Sequence, residues 1–126
     1  MDATISYSAS VTVDGELRQI AGSETIEVQN IVTGSQTIGA TYEALACTSM
    51  GNNSLLLYNT GTVDVSIRVR LFHFTISEYL MFNLIGGGVM HIPAGFLNDE
   101  GRLALREDVF ARTDAGTVVI DYCHLI

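Results

Sequence analysis

At 126 residues, 48% apolar and 16% charged, the chain suits one domain with a real core and does not have a disordered composition. Fourteen acids against six bases give a formal net charge of −8. That excludes a cationic surface able to neutralise many phosphates, so no direct nucleic-acid partner is expected.

The first strand is expected within residues 4–20. Ile5, Tyr7, Ala9, Val11 and Val13 share one parity, and Thr4, Ser6, Ser8, Ser10 and Thr12 the other. That is the period-2 pattern of an amphipathic strand, with a hydroxyl-rich polar face. Asp14-Gly15 follows as a two-residue hairpin turn. Leu17 and Ile20 fall on the return arm, and Gly22-Ser23 reads as a break. Residues 25–31 predict a short strand, then Thr33-Gly34-Ser35 a turn. Residues 36–47 favour extended chain over helix, because Gly39 and β-branched Thr37 and Thr41 weaken a helix; one helical turn at 41–46 is the alternative.

Residues 54–71, SLLLYNTGTVDVSIRVRL, organise the centre of the chain. Leu55 to Tyr58 form an apolar run, and Asn59-Thr60-Gly61 is turn chemistry. Val63, Val65, Ile67 and Val69 then alternate with polar residues. The two runs predict a β-hairpin. Residues 72–76 stay apolar, and Ser77-Glu78 reads as a turn. Residues 79–84 predict a strand with Leu80, Phe82 and Leu84 on one face. Gly86-Gly87-Gly88 interrupts it, 89–92 resumes, and Pro93-Ala94-Gly95 ends it. Residues 98–101 form a polar loop tip, and 102–110 do not decide between strand and helix. Arg112-Thr113-Asp114 reads as a charged turn and Asp114-Ala115-Gly116 as a hairpin turn. Residues 117–126 predict a strand internal to a sheet, because both parities are partly apolar. Eight to ten short strands divided by Gly, Asn and Asp turns predict an all-β, antiparallel β-sandwich or jelly-roll-like domain with at most a short helix. It spans 1–126 as a single domain, with 1–20 a possible N-terminal assembly arm or hairpin.

Little points to chemistry. The three histidines, His73, His91 and His124, show no HxH, HxxxH or HExxH spacing, so no metal is expected. The glycine triplet lacks the Lys-Ser/Thr of a P-loop and reads as a turn or bulge. No GxSxG elbow exists, and Cys47 carries no local signature of a catalytic thiol. Cys47 and Cys123 are expected as buried free thiols of a reducing compartment, a disulfide between them being the other arrangement. Residues 79–92, the longest apolar region, are too short and too broken for a membrane span, and the N-terminus has no signal-peptide pattern. No catalytic residue and no cofactor is expected. The low charge fraction instead suggests surface covered by other subunits.

Two pieces of the chain carry a family resemblance: LLLYNTGTVDVSIRV with its following HIPAG, and the closing VFARTDAGTVVIDYCHLI. In these the chain resembles the small β-sandwich virion proteins of tailed bacteriophages, the capsid decoration or cement class. The resemblance covers about the C-terminal half to two thirds and rests on fold-level patterns. It implies a non-enzymatic structural protein, made in the host cytoplasm and held on the capsid surface. Its partners would be itself, as a trimer or dimer, and the major capsid protein, with no membrane involved. Candidate assembly contacts are Ile5, Tyr7 and Val11 on the first strand, and Phe72, Phe74 and Tyr79 in the aromatic segment. The first strand is also placed to extend a partner's sheet. The rival reading is a carbohydrate- or receptor-binding β-sandwich module of a fibre or tail.

Overall fold

The computed structural model describes residues 1–45, 54–73, 76–92, 96–97 and 103–126, the side chains of 71–73, 76–78, 96–97 and 103–108 excepted. Every strand pairing among them is antiparallel, and none of them is helical. The chain divides into two compact units, residues 1–30 and 31–126.

The first unit is a two-stranded ribbon of β1 (Asp2–Val13) and β2 (Glu16–Glu27). The strands pair along their whole length, from Asp2 opposite Glu27 to Val13 opposite Glu16. Asp14 and Gly15 take φ of 51° and 80°. Positive φ at both central residues is the twist-matched hairpin turn that Asp-Gly favours. The return arm does not break at Gly22-Ser23, and residues 25–27 complete β2 rather than starting a separate strand. Gly22 stays in the ladder because it pairs with Tyr7, whose ring fills the space a Cβ would take, 2.9 Å away.

The second unit is a sandwich. One sheet runs β3 (Ile31–Ile38), β11 (Val118–Leu125), β5 (Ser54–Asn59), β8 (Val89–Ile92) in that order. The other runs β4 (Glu43–Ala44), β10 (Leu103–Thr113), β6 (Val65–His73), β7 (Ile76–Leu84), with β9 (Phe96–Leu97) also on β10. The alternating residues of each strand send one parity into a shared core. Val65, Ile67 and Val69 of β6 and Val109 and Ala111 of β10 come from one sheet. Leu55 and Leu57 of β5, Ile38 of β3 and Ile120 of β11 come from the other. Two sheets feeding one apolar cluster is the sandwich solution to burying two half-apolar layers. Each of the Val, Leu and Ile side chains contributes about 1.5–3 kcal/mol of transfer free energy.

Several expectations are corrected. The central 54–71 segment is not a hairpin: β5 and β6 lie in different sheets, so Asn59-Thr60-Gly61 begins a crossing between layers. The same holds at the C-terminus, where Asp114-Ala115-Gly116 carries the chain from β10 to β11 across the sandwich, and Arg112 and Thr113 belong to β10. Thr33-Gly34-Ser35 is no turn but the middle of β3, where Gly34 pairs with Tyr122 and leaves room for its ring. Ser77-Glu78 is likewise strand, paired with Phe72 and Leu71. Residues 41–45 are not helical, and 103–113 are strand. The strand at 118–125 is internal, flanked by β3 and β5 as expected. The Pro93-Ala94-Gly95 turn, the 98–101 loop tip and Cys47 fall outside the described residues.

The crossings meet at one end of the sandwich, around a fully buried Asn59. Its Nδ2 donates to the Val63 carbonyl at 2.8 Å and the Leu84 carbonyl at 3.1 Å. Its Oδ1 accepts from Gly61 N at 2.9 Å. One amide side chain thereby satisfies backbone groups of the β5–β6 and β7–β8 crossings, which the sheets leave unpaired. Thr113 does similar work next door: its N donates to Gly39 O at 2.9 Å and its hydroxyl to Asp64 O at 3.1 Å. Gly86 sits against the neighbouring crossing so closely that a Cβ there would lie 2.5 Å from the Thr62 carbonyl carbon. The glycine triplet is thus a close-approach turn, as its composition implied.

Candidate functional site

The alternation that fills the core on one parity of β6 and β10 places Ser66, Arg68 and Arg70, and Phe110 and Arg112, on the opposite, outward face of their sheet. Register sets their neighbours. Phe110 lies opposite Arg68 on β10, and Met81 opposite it on β7; Tyr79 lies opposite Arg70, and Arg112 opposite Ser66. The Arg68 guanidinium carbon stands 4.4 Å from the ring centre of Tyr42, 4.7 Å from that of Tyr79 and 5.0 Å from that of Phe110. Arg112 stands 5.0 Å from Tyr42, so that ring serves two guanidinium groups.

Stacking of this kind holds a guanidinium by its faces and leaves its edge N–H groups for in-plane bonds. The Nε atoms of Arg68 and Arg112 are buried and have no hydrogen-bond partner. Arg112 reaches Asp114 at 3.8 Å, but Asp114 is 81% exposed, so that pair is weak. Among the described residues Arg68 forms no ion pair. Asp108 occupies the register position opposite Arg70. The face is therefore a cluster of three arginines set among Tyr, Phe and Met in a strongly acidic protein. Arg and aromatics are the residue types that carry most binding energy at protein interfaces.

A second surface lies on the ribbon. Directly paired residues point to the same side, so Tyr7, Ala9, Val11 and Val13 share a face with Ile20. Tyr7, Val11, Val13 and Ile20 are 53–67% exposed. The opposite face carries the hydroxyls of β1, with Thr4 and Thr25 hydrogen-bonded across the strands at 3.1 Å. Of the expected assembly contacts, Tyr7 and Val11 lie on that exposed apolar face, while Ile5 is buried at 6%. Tyr79 lies on the arginine face, 48% exposed. Phe72 is a β6 residue whose side chain is not described, and Phe74 lies outside the described residues. Both strands of the ribbon pair on one side only, so each keeps an open edge among the described residues.

Sequence reasoning missed Tyr42, Arg68, Phe110 and Arg112 as a group. The parity of Arg68 was readable as polar. Its neighbours were not, since Tyr42 and Phe110 arrive from distant segments. Arg112 sits in turn-like sequence, just ahead of Asp114-Ala115-Gly116, although it belongs to β10.

Among the described residues no three His, Cys, Asp or Glu side chains come together as metal ligands. His124 is buried, and Cys123 is a free, half-buried thiol on the outer face of the other sheet. A shallow apolar dip of about 280 Å³ lies there, lined by Leu56, Tyr58, Val89 and Tyr122 beside Cys123. No described helix is long and apolar enough to cross a membrane. No family model, no curated protein and no solved structure matches the chain.

Proposed function

We propose that the protein is a non-enzymatic assembly subunit, a decoration or cement protein of a phage head that binds copies of itself and the major capsid protein. The observation that carries this reading is the ribbon. Twelve-residue strands hold Tyr7, Val11, Val13 and Ile20 more than half exposed on one face. A two-stranded ribbon is at best marginal alone in water, and an apolar stripe of this kind marks a surface that another chain covers. The open edge of β1 adds a route for strand addition to a neighbour's sheet. The virion assignment itself draws on the resemblance of the central and closing segments to decoration proteins. The mechanism is passive: a subunit that binds the assembled lattice and not its separated parts stabilises the lattice by mass action.

Two measurements test it. Light scattering from 1 to 100 µM should show association. Co-sedimentation with purified phage shells assembled without the protein should show saturable binding and raised shell melting. A protein that stays monomeric throughout and stays in the supernatant would sink the reading.

A second reading, a carbohydrate- or receptor-binding module of a fibre or tail, draws on the half-exposed Tyr79 ring beside Arg68. Aromatic faces next to hydrogen-bonding donors suit sugars. Specific retention on a glycan array, lost in Tyr79→Ala, would favour it.

A further inference from the structure

We propose that the Arg68-centred face is the docking surface for the acidic β1–β2 hairpin of a second copy of this chain, exchanged reciprocally. This rests on the assembly reading above and names its contact.

Charge is divided unevenly along the chain. Residues 1–30 hold five acids, Asp2, Asp14, Glu16, Glu24 and Glu27, against one base, Arg18, for a net charge of −4. The other five bases all lie between 68 and 112, and Arg68, Arg70 and Arg112 share the outward face of one sheet. On the ribbon, Glu16 and Glu24 flank the apolar stripe on its own face, opposite Val13 and Ile5. A stripe of Tyr7, Val11 and Ile20 rimmed by carboxylates meets, on the other copy, aromatic rings and Met81 around guanidinium groups. The Arg68 guanidinium carbon stands 4.4–5.0 Å from three ring centres, which preorganises the group for a carboxylate.

The area is sufficient. The stretch from the Ile5–Glu24 pair to the Val13–Glu16 pair is nine residues, about 30 Å long and about 10 Å wide across two strands with their side chains. One docking event therefore covers about 300 Å² on each side. Reciprocal exchange doubles this to about 1,200 Å² in all, the lower bound of standard stable interfaces. The same chemistry from an acidic oligosaccharide would fill only part of the face and leave the ribbon bare.

The test is a charge swap read by light scattering and sedimentation equilibrium at low and high salt. Wild type should dimerise, less tightly in 500 mM than in 50 mM NaCl. Arg68→Glu should weaken dimerisation by at least about 30-fold, the loss typical of an interface hot spot. Glu16→Lys with Glu24→Lys should do the same from the other side. Mixing the two variants should restore dimers, because one of the two contacts is then wild type on both sides and the other sets the introduced lysines against the carboxylate introduced at position 68. Should Arg68→Glu fail to fold, Arg68→Lys and the hairpin variant, whose changes lie on exposed residues, decide the matter.

Dimers unaffected by either variant, or variants that do not rescue each other, would overturn this docking while leaving the assembly reading intact. A monomeric wild type would also overturn it; only failure to bind shells as well sinks the wider reading. A hyaluronan fragment retained by wild type and by the hairpin variant, but not by Arg68→Glu, would reassign the face to a glycan.

Discussion

The ribbon and the sandwich are written in the same code and meet opposite fates. In β6, Val65, Ile67 and Val69 alternate with Ser66, Arg68 and Arg70, and the three apolar side chains are fully buried. In β1, Tyr7, Val11 and Val13 alternate with serine and threonine, and each is more than half exposed. The difference is the presence of a second layer. β6 faces β5 and β11 across a shared core, whereas the ribbon presents the same kind of stripe to solvent from Tyr7 to Val13. Alternation decides which face of a strand is apolar; it does not decide what covers that face.

The sharpest way to break this comparison is to truncate one apolar residue in each region. Ile67→Ala should cost about 2–5 kcal/mol, since it empties a close-packed site with no route to collapse. Ile20→Ala should change the stability of the monomer by no more than about 0.5 kcal/mol. Urea unfolding below the association range checks both. An Ile20 variant as damaging as the Ile67 variant would mean that the ribbon's stripe is covered within the chain.

The next effect separates polar from apolar organisation. Asn59→Ala should cost about 2–3 kcal/mol, because it strands the Val63 and Leu84 carbonyls and the Gly61 N–H in a buried corner. Asn59→Asp should cost a similar amount, since it replaces the donor by an acceptor facing two carbonyls. Thermal melts of both would show it. A nearly neutral Asn59→Ala would mean that water enters the crossing and replaces the amide.

Asn59 also shows where the sequence stopped being legible. Asn-Thr-Gly between two apolar runs was readable as a chain reversal, and the strands on both sides were right. What could not be read was the destination. A hairpin and a crossing between layers both need a turn. They differ in whether the flanking strands find better partners elsewhere, here β11 and β8 for β5, and β10 and β7 for β6. The same ambiguity misled at Asp114-Ala115-Gly116. Glycines inside strands failed for another reason. Gly22 and Gly34 looked like breaks, yet each lies beneath a cross-strand tyrosine that only the register reveals. The assembly surfaces divide likewise: Tyr7 and Val11 followed from parity, whereas the Arg68 cluster needed Tyr42 and Phe110, which tertiary pairing alone brings in.

A smaller effect belongs to the ribbon's turn. Gly15 has φ of 80° and open space where a Cβ would point. Gly15→Ala therefore meets no clash, and its cost is the backbone preference alone, about 1 kcal/mol. That cost should appear as faster amide exchange in residues near the tip, with the sandwich amides unchanged. Exchange that accelerates equally in β5 and β11 would contradict the separate character of the two regions.

The smallest effect is the most discriminating. Arg18 and Glu16 form an ion pair at 3.0 Å on the ribbon's apolar face, with side chains 73% and 72% exposed. In water such a pair is worth about 0–0.5 kcal/mol, because solvent screens it and two long side chains lose freedom to hold it. Arg18→Ala should therefore leave the monomer's unfolding unchanged. In the associated protein it does something else. Removing the only basic side chain among residues 1–30 takes the hairpin's formal net charge from −4 to −5 and frees Glu16 to meet Arg68. Association should then tighten a few-fold at low salt and return to the wild-type value at high salt. Weaker association on losing Arg18 would mean that the ribbon docks against an acidic surface instead, and the arginine face would have to find another occupant.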